Sequence, residues 1–104
     1  MLCALTVRKL ESGSFDQFRE AFMRDLPGGL PSGWVRFNMI RNVDDADEVV
    51  CFGFFDGSVA ELRDDGQAGY DEQLAAIAPY VESVGANGVY EVVEDLAAAP
   101  DAAG

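Results

Sequence analysis

Polar side chains are scattered along the predicted strand WVRFNMIRNV, residues 34–43. Successive side chains of a strand point to opposite faces, so we expect Trp34, Arg36 and Asn38 on one face. There an arginine can pair with an anionic substrate oxygen, an asparagine can hydrogen-bond it, and an indole ring can form a wall. The pattern predicts Arg36 and Asn38 as catalytic residues and Trp34 as a ligand-binding residue.

Two tyrosines can add phenolic hydroxyl groups to such a site. Tyr90 lies in the last predicted strand and is predicted to be catalytic, whereas Tyr70 begins a predicted helix and is predicted to bind ligand. Structural interpretations stay open for all of these residues. They are an interface or surface ion pair for Arg36, packing or a dimer contact for Trp34, a local hydrogen bond for Asn38, and amphipathic edge positions for the tyrosines.

Other catalytic sets are missing from the sequence. The 104 residues include no histidine, which excludes histidine-based triads and makes a structural zinc site improbable. The glycine-rich segment 27–33 precedes a strand rather than a helix, unlike a phosphate-binding loop. Cys3 and Cys51 lie within apolar runs, where a cysteine acts as a small hydrophobic residue, so we expect neither a disulfide nor a metal site.

Charge and composition narrow the possible partners. Nineteen acidic and seven basic residues give a formal net charge of −12, which opposes binding to nucleic acid or to an anionic membrane surface. Hydrophobic residues make up 49% of the chain, enough to form the core of one domain. No apolar run has the length of a membrane span, and the N-terminal residues lack the pattern of a signal peptide. We therefore expect a cytoplasmic protein.

Hydrophobic periodicity predicts the order of elements. The first half contains a strand over residues 2–10, a helix with a capping box at Ser14 and Gln17, and a strand over 34–43. In the second half an acidic run, 44–48, is predicted to connect strands. A strand is predicted over 49–55, followed by a short helix over 58–65 with a capping box at Ser58 and Glu61 and an interruption at DDGQAG, residues 64–69. Next comes a helix from Tyr70 to Val84, which Pro79 should kink or split near residue 78. A terminating segment over 85–88 and a strand over 89–96 complete the order.

This βαββαβ order predicts an α+β fold of the ferredoxin-like type. Right-handed crossovers place both helical regions on one face of a four-stranded antiparallel sheet. The strand over 49–55 is apolar on both faces, so its second face needs a cover. We expect a homodimer through that sheet face, with a loop or the tail as the alternative cover. One domain is predicted over 1–96, followed by a flexible tail over 97–104.

The element order, the length and the stretch RNVDDADEVVCFGFFDGSVAELRDD, residues 41–65, resemble the dimeric α+β barrel superfamily. Within it the likeness is to antibiotic biosynthesis monooxygenase-like domains. The resemblance implies a cofactor-independent monooxygenase that acts on an aromatic or polyketide-like small molecule, with neither metal nor flavin. It leaves open an isomerase or cyclase of the same superfamily, and also a non-catalytic dimeric domain that binds a small ligand or has a structural role.

The sequence departs from the family pattern at two points. Members that degrade haem carry an iron-ligating histidine in the second helical region, and this chain has no histidine. Many members end the third strand with a tryptophan, where this chain has Phe55. The resemblance therefore predicts Phe55 as a ligand-binding residue in place of the usual indole.

Overall fold

A computed structural model of the chain describes residues 1–24 and 29–98, and only the backbone over 65–69. The described residues form four strands and two α-helices. The elements are β1 (Leu2–Leu10), α1 (Phe15–Met23), β2 (Trp34–Asn42), β3 (Asp45–Phe55), α2 (Val59–Ile77), a 3₁₀ turn (Ala78–Tyr80) and β4 (Val81–Glu91). The strands form one antiparallel sheet in the order β2-β3-β1-β4. The predicted ferredoxin-like fold, with β1 and β3 at the centre, is confirmed.

One face of the sheet, called the helix face, packs against both helices. Alternate residues of β1 and β3 point to it and are buried: Thr6, Arg8, Leu10, Val49, Cys51, Gly53 and Phe55. The core forms where Phe18 and Phe22 of α1 and Ile77 of α2 meet Val49 and Leu10. Burying each large apolar side chain stabilises the fold by about 1.5–3 kcal/mol. Both helices therefore cover the same side of the sheet.

The other face of the sheet, called the open face, carries no helix. Its apolar members are only partly covered or exposed: Cys3, Leu5, Val7, Ile40, Val50, Phe52 and Phe54. Phe52 and Phe54 pack edge to face with ring centroids 6.0 Å apart. Ile40 is 50% exposed. The expected pattern of a strand with two apolar faces is therefore present in β3, and its second face is uncovered in a single chain.

The second helix is longer than the sequence pattern predicted. The capping box at Ser58 and Glu61 is confirmed, since each residue's side chain accepts a hydrogen bond from the other's backbone N–H. The predicted break at DDGQAG is wrong, because α2 continues without interruption to Ile77. Glycine in a helix costs only about 1 kcal/mol relative to alanine, and packing against the sheet can offset that cost.

The second helix also ends at an earlier residue than the sequence pattern predicted. Helix geometry stops at Ile77, and Pro79 lies in the 3₁₀ turn that follows, so Val84 belongs to β4 and not to a helix. The segment 85–88, predicted to terminate a helix, is the middle of β4, where Asn87 and Gly88 pair with β1. The predicted strand over 89–96 is therefore wrong in its bounds. Pairing along β1 outweighs the weak strand propensity of glycine and asparagine.

Two further local predictions are wrong, namely the capping box of the first helix and the length of the acidic connection. Ser14 is the N-cap of α1, but its side chain makes no capping hydrogen bond. The connection between β2 and β3 is only the turn at 43–44, because β3 already begins at Asp45. Asp45 pairs with Lys9, and Asp47 accepts a hydrogen bond from the Gly13 backbone N–H at 3.1 Å. A lysine of β1 and a backbone group of the loop after β1 thus hold these two carboxylates at the start of β3.

Parts of the predictions cannot be compared with the fold. Leu26, the last residue of the helix predicted before the glycine-rich segment 27–33, and residues 27–28 of that segment lie outside the described residues. Most of the predicted tail, 99–104, also lies outside them. The single domain over 1–96 and the flexible tail stay predictions.

Candidate functional site

A cavity of about 590 Å³ lies between the helix face of the sheet, the two helices and the loop that precedes β2. Aromatic side chains form much of its wall: Phe22, Trp34, Phe37, Phe55 and Tyr70. Polar side chains occur at a few points: Thr6, Arg8, Ser32, Arg63, Gln73 and Asn87. An apolar cavity of this size with a few polar groups is the usual form of a small-molecule site.

The phenylalanine that ends β3 forms part of this wall and lies between two glycines. A Cβ atom at Gly33 would lie 2.5 Å from Phe55 Cε2, and one at Gly57 would lie 2.6 Å from Phe55 Cε1. Gly33 also has φ of 91°, which other residues rarely adopt. The Asp56 N–H donates to the Gly33 carbonyl at 2.8 Å, which joins the two segments. The two glycines thus make the space that Phe55 occupies.

The tryptophan at the start of β2 points into the cavity because the strand bulges after it. Trp34 is paired with Phe55, whereas Arg36 is paired with Phe54, so an irregularity at Val35 reverses the faces between them. The prediction that Trp34 shares a face with Arg36 and Asn38 is therefore wrong. Trp34 lies on the helix face, where its ring meets Phe55 edge to face at 5.4 Å.

Gly53 provides the space beneath this indole ring. A Cβ atom at Gly53 would lie 2.8 Å from Trp34 Cζ3 and 3.2 Å from the Arg36 carbonyl oxygen. The group that approaches Gly53 most closely is therefore the Trp34 ring. Gly53 pairs with Phe37, whereas Asn38 pairs with Phe52 on the other face.

The structure separates the predicted site residues into two groups. Trp34, Phe55 and Tyr70, which were predicted to bind ligand, all line the cavity. The register places Arg36 and Asn38 on the open face, opposite Phe54 and Phe52. Tyr90 pairs with Cys3 on that same face and is 48% exposed. The three residues predicted to be catalytic therefore lie on the side of the sheet away from the cavity.

The polar residue that the sequence interpretation missed is Arg8, in the middle of β1. It is 2% exposed, lines the cavity, and its guanidinium carbon lies 5.8 Å from the Phe22 ring centroid and 5.9 Å from that of Phe18. Its Nη1 has no hydrogen-bond partner in the part of the chain that the structure describes. The sequence did contain one indication that Arg8 is buried: it lies two residues before Leu10, and therefore on the same face of the strand, which had to be buried.

Three further polar side chains line the same cavity as this arginine. The Thr6 hydroxyl donates to Asn87 Oδ1 at 3.1 Å, across β1 and β4. Gln73 Nε2 donates to the Phe22 carbonyl at 3.1 Å, which ties α2 to α1. These contacts hold polar side chains in fixed positions on an otherwise apolar wall.

Cys51 shares the wall of the cavity with Arg8. Burial raises the pKa of the Cys51 thiol to about 11, even though the nearby Arg8 charge and its hydrogen bond lower it. Cys3 is also a free thiol, and it lies on the open face. Burial raises the pKa of Cys3 as well. The thiol beside the cavity is therefore neutral at physiological pH.

We expect Cys51 to react very slowly with iodoacetamide in the folded protein. A thiol with a pKa of about 11 is roughly one part in a thousand thiolate at pH 8, and the thiolate is the nucleophile. In the Cys3→Ser variant, alkylation followed by mass spectrometry should be at least about 100-fold slower in buffer than in denaturant. Equal rates in both conditions would contradict the burial of Cys51.

Neither a metal site nor a membrane helix is seen in the described part of the chain. Over residues 1–24 and 29–98, no three or more acidic or cysteine side chains are grouped so as to hold a metal ion. None of the helices described has both the length and the apolar character needed to cross a membrane.

The fold of the chain matches that of known solved structures. They include antibiotic biosynthesis monooxygenase-like proteins, and the predicted resemblance is confirmed at the level of the fold. No family model matches the sequence, and no curated protein does either.

Two of these structures show the extent of the likeness. An antibiotic biosynthesis monooxygenase-like protein from Deinococcus radiodurans superposes with a TM-score of 0.76 at 10% identity, over 96% of this chain and 100% of that one. SnoaB, a cofactor-independent oxygenase from Streptomyces nogalater, superposes with a TM-score of 0.67 at 17% identity, over 91% of this chain and 95% of that one. At such identities the likeness establishes the fold alone.

Proposed function

We propose that this protein is a cofactor-independent oxygenase whose substrate is an electron-rich aromatic or polyketide-like small molecule held in the cavity. The observation that carries the proposal is the cavity itself, about 590 Å³ in volume with Trp34, Phe37 and Phe55 in its wall. Flat aromatic walls suit a planar fused-ring molecule. The likeness in fold to SnoaB, a cofactor-independent oxygenase, supports the same activity.

The chemistry of such a reaction comes mainly from the substrate. An anthrone-type molecule that has lost a proton is electron-rich enough to reduce molecular oxygen. A carbon–oxygen bond then forms at the ring carbon, giving a hydroperoxide that loses water to leave a carbonyl group. One substrate CH₂ and one O₂ thus become one C=O and one H₂O.

The chain contributes orientation and a water-poor environment. Trp34 and Phe55 fix the plane of the bound ring, and the helices shield it from solvent. A substrate in this cavity meets the polar groups of the helix face, such as Thr6 and Asn87, rather than those of the open face. Catalytic roles for Arg36, Asn38 and Tyr90 stay a prediction that a site within one chain does not support.

We also propose that a second copy of the chain covers the open face. Phe52, Phe54 and Leu5 lie on that face, and both helices lie on the other. Burying each of these side chains against a second copy would contribute about 1.5–3 kcal/mol. A two-fold dimer buries the same patch on both subunits and needs no further element of the chain.

One observation favours a second candidate, a dimeric module that binds the same molecule without turning it over. None of the described residues that line the cavity is a carboxylate, so the wall offers no obvious base to remove a proton from the substrate. An oxygenase of this type would then depend on a substrate that ionises readily on its own.

Oxygen uptake with anthrone tests the proposed activity. We expect the wild-type protein to consume one O₂ per anthrone and to form anthraquinone at least about 100-fold faster than buffer alone, unchanged by a metal chelator. The matched control is anthraquinone, which has no oxidisable CH₂ and should cause no uptake. Tight binding of anthrone without accelerated uptake, across several such substrates, would favour the binding module instead.

A further inference from the structure

We infer that the ligand of this cavity is an anion and that Arg8 is the residue that holds it. The inference rests on the proposed function only in placing the ligand in this cavity. It concerns a residue on β1 that neither the family resemblance nor the predicted site includes.

Among the residues that the structure describes, Arg8 is buried and has no salt-bridge partner. Its exposed fraction is 2%, and Nη1 bonds to no group in the described part of the chain. Around the guanidinium lie the rings of Phe18 and Phe22 and the neutral thiol of Cys51. Aromatic rings at nearly 6 Å offset only part of the hydration free energy that a guanidinium loses when it is buried.

The composition of the chain makes this isolation informative. Nineteen acidic residues are available, yet no described carboxylate bonds to Arg8 Nη1. A buried charge that is neither paired nor fully hydrogen-bonded is rare in folded proteins, because burying it is costly. An anion that enters from outside would supply the missing partner, and Arg8 lies in the wall of the cavity that such an anion would enter.

The surroundings indicate the class of anion. The indole of Trp34 and the ring of Phe37 favour an aromatic body, and the Arg8 guanidinium favours an ionised oxygen on it. Thr6 lies two residues before Arg8 on the same face and, with Asn87, can meet a neutral polar group on the same molecule. The ligand is thus an aromatic acid, enol or phenol that is bound with a negatively charged oxygen.

A matched pair of ligands tests this inference without any turnover. The probes are 6-bromo-2-naphthoate and 6-bromo-2-naphthamide, which have nearly the same shape but differ in charge. Calorimetry under nitrogen measures their affinity, and quenching of Trp34 fluorescence shows that they enter the cavity, since Trp34 is the single tryptophan. We expect the wild-type protein to bind the carboxylate roughly ten- to hundredfold more tightly, as for a buried charge-assisted hydrogen bond.

Two variants assign the preference to Arg8. Arg8→Met keeps an apolar side chain of similar length and should remove the preference, whereas Arg19→Met makes the same change in net charge at an exposed position of α1 and should retain it. Equal affinity of the wild-type protein for the two probes, or binding of neither, would overturn the inference even if Arg8→Met does not fold. Carboxylate preference without oxygen uptake would uphold the anion site and refute the oxygenase.

Discussion

The Gly53→Val variant is expected to lose ligand binding in the cavity and to unfold at a temperature lower by roughly 10 °C. A Cβ atom at this position would lie 2.8 Å from Trp34 Cζ3, so the indole must move away from the sheet and into the cavity. It would also lie 3.2 Å from the Arg36 carbonyl oxygen, and a backbone atom cannot rotate away. Overpacking of this kind costs about 1–3 kcal/mol, and each kcal/mol lowers the unfolding temperature of a domain this size by about 4–8 °C.

The control for this experiment is Gly85→Val, in β4. A Cβ atom there would lie 3.7 Å from Val7 Cβ, an ordinary van der Waals contact, so the same substitution should change the unfolding temperature little. Thermal unfolding followed by circular dichroism gives the stability, and the emission of Trp34 reports whether the indole has moved. Unchanged emission and stability in Gly53→Val would show that the ring does not rest on Gly53.

The Phe52→Asp variant is expected to be a folded monomer, whereas the wild-type protein is a dimer at micromolar concentration. Phe52 lies on the open face, where its ring contacts that of Phe54, and the core between sheet and helices lies on the other face, so one chain can keep its core without Phe52. At the centre of a two-fold interface the new carboxylate would be buried without a partner. That costs several kcal/mol in each subunit, so the dissociation constant should rise at least about 1,000-fold.

Val43→Asp is the matched control because it adds the same charge at the tip of the hairpin between β2 and β3. Val43 is 96% exposed, so this variant should remain a dimer. Sedimentation equilibrium measures the assembly, and far-ultraviolet circular dichroism checks that both variants keep their secondary structure. A wild-type protein that sediments as a monomer, or a Phe52→Asp variant that stays dimeric, would contradict a dimer through the open face.

The sequence placed a residue correctly in the cavity wall only where that residue's own position was enough. Phe55 ends an apolar strand, and Tyr70 lies on a helix that must pack on the sheet. Each was therefore expected to lie near the helix face. The grouping of Trp34 with Arg36 and Asn38 assumed strict alternation, and a single bulge at Val35 reversed it. A bulge depends on how two strands pair, which no single strand specifies.

The buried arginine shows the same division. The sequence shows that Arg8 lies on the same strand face as Thr6 and Leu10, but an arginine is far more often exposed than buried. Only the packing of α1 over β1, with Phe18 and Phe22 above the guanidinium, shows that this charge lies within the fold.

Periodicity and element order were enough to determine the ferredoxin-like fold, because hydrophobic spacing and the handedness of crossovers are local properties of the chain. The bounds of β4 were decided by pairing with β1, and the continuity of α2 by its packing against the sheet, and both outweighed the local signals of glycine and asparagine. The cavity and its charge were decided by the tertiary structure alone. Strand register and helix packing are contacts between residues distant in sequence, and these contacts determine which side chains meet.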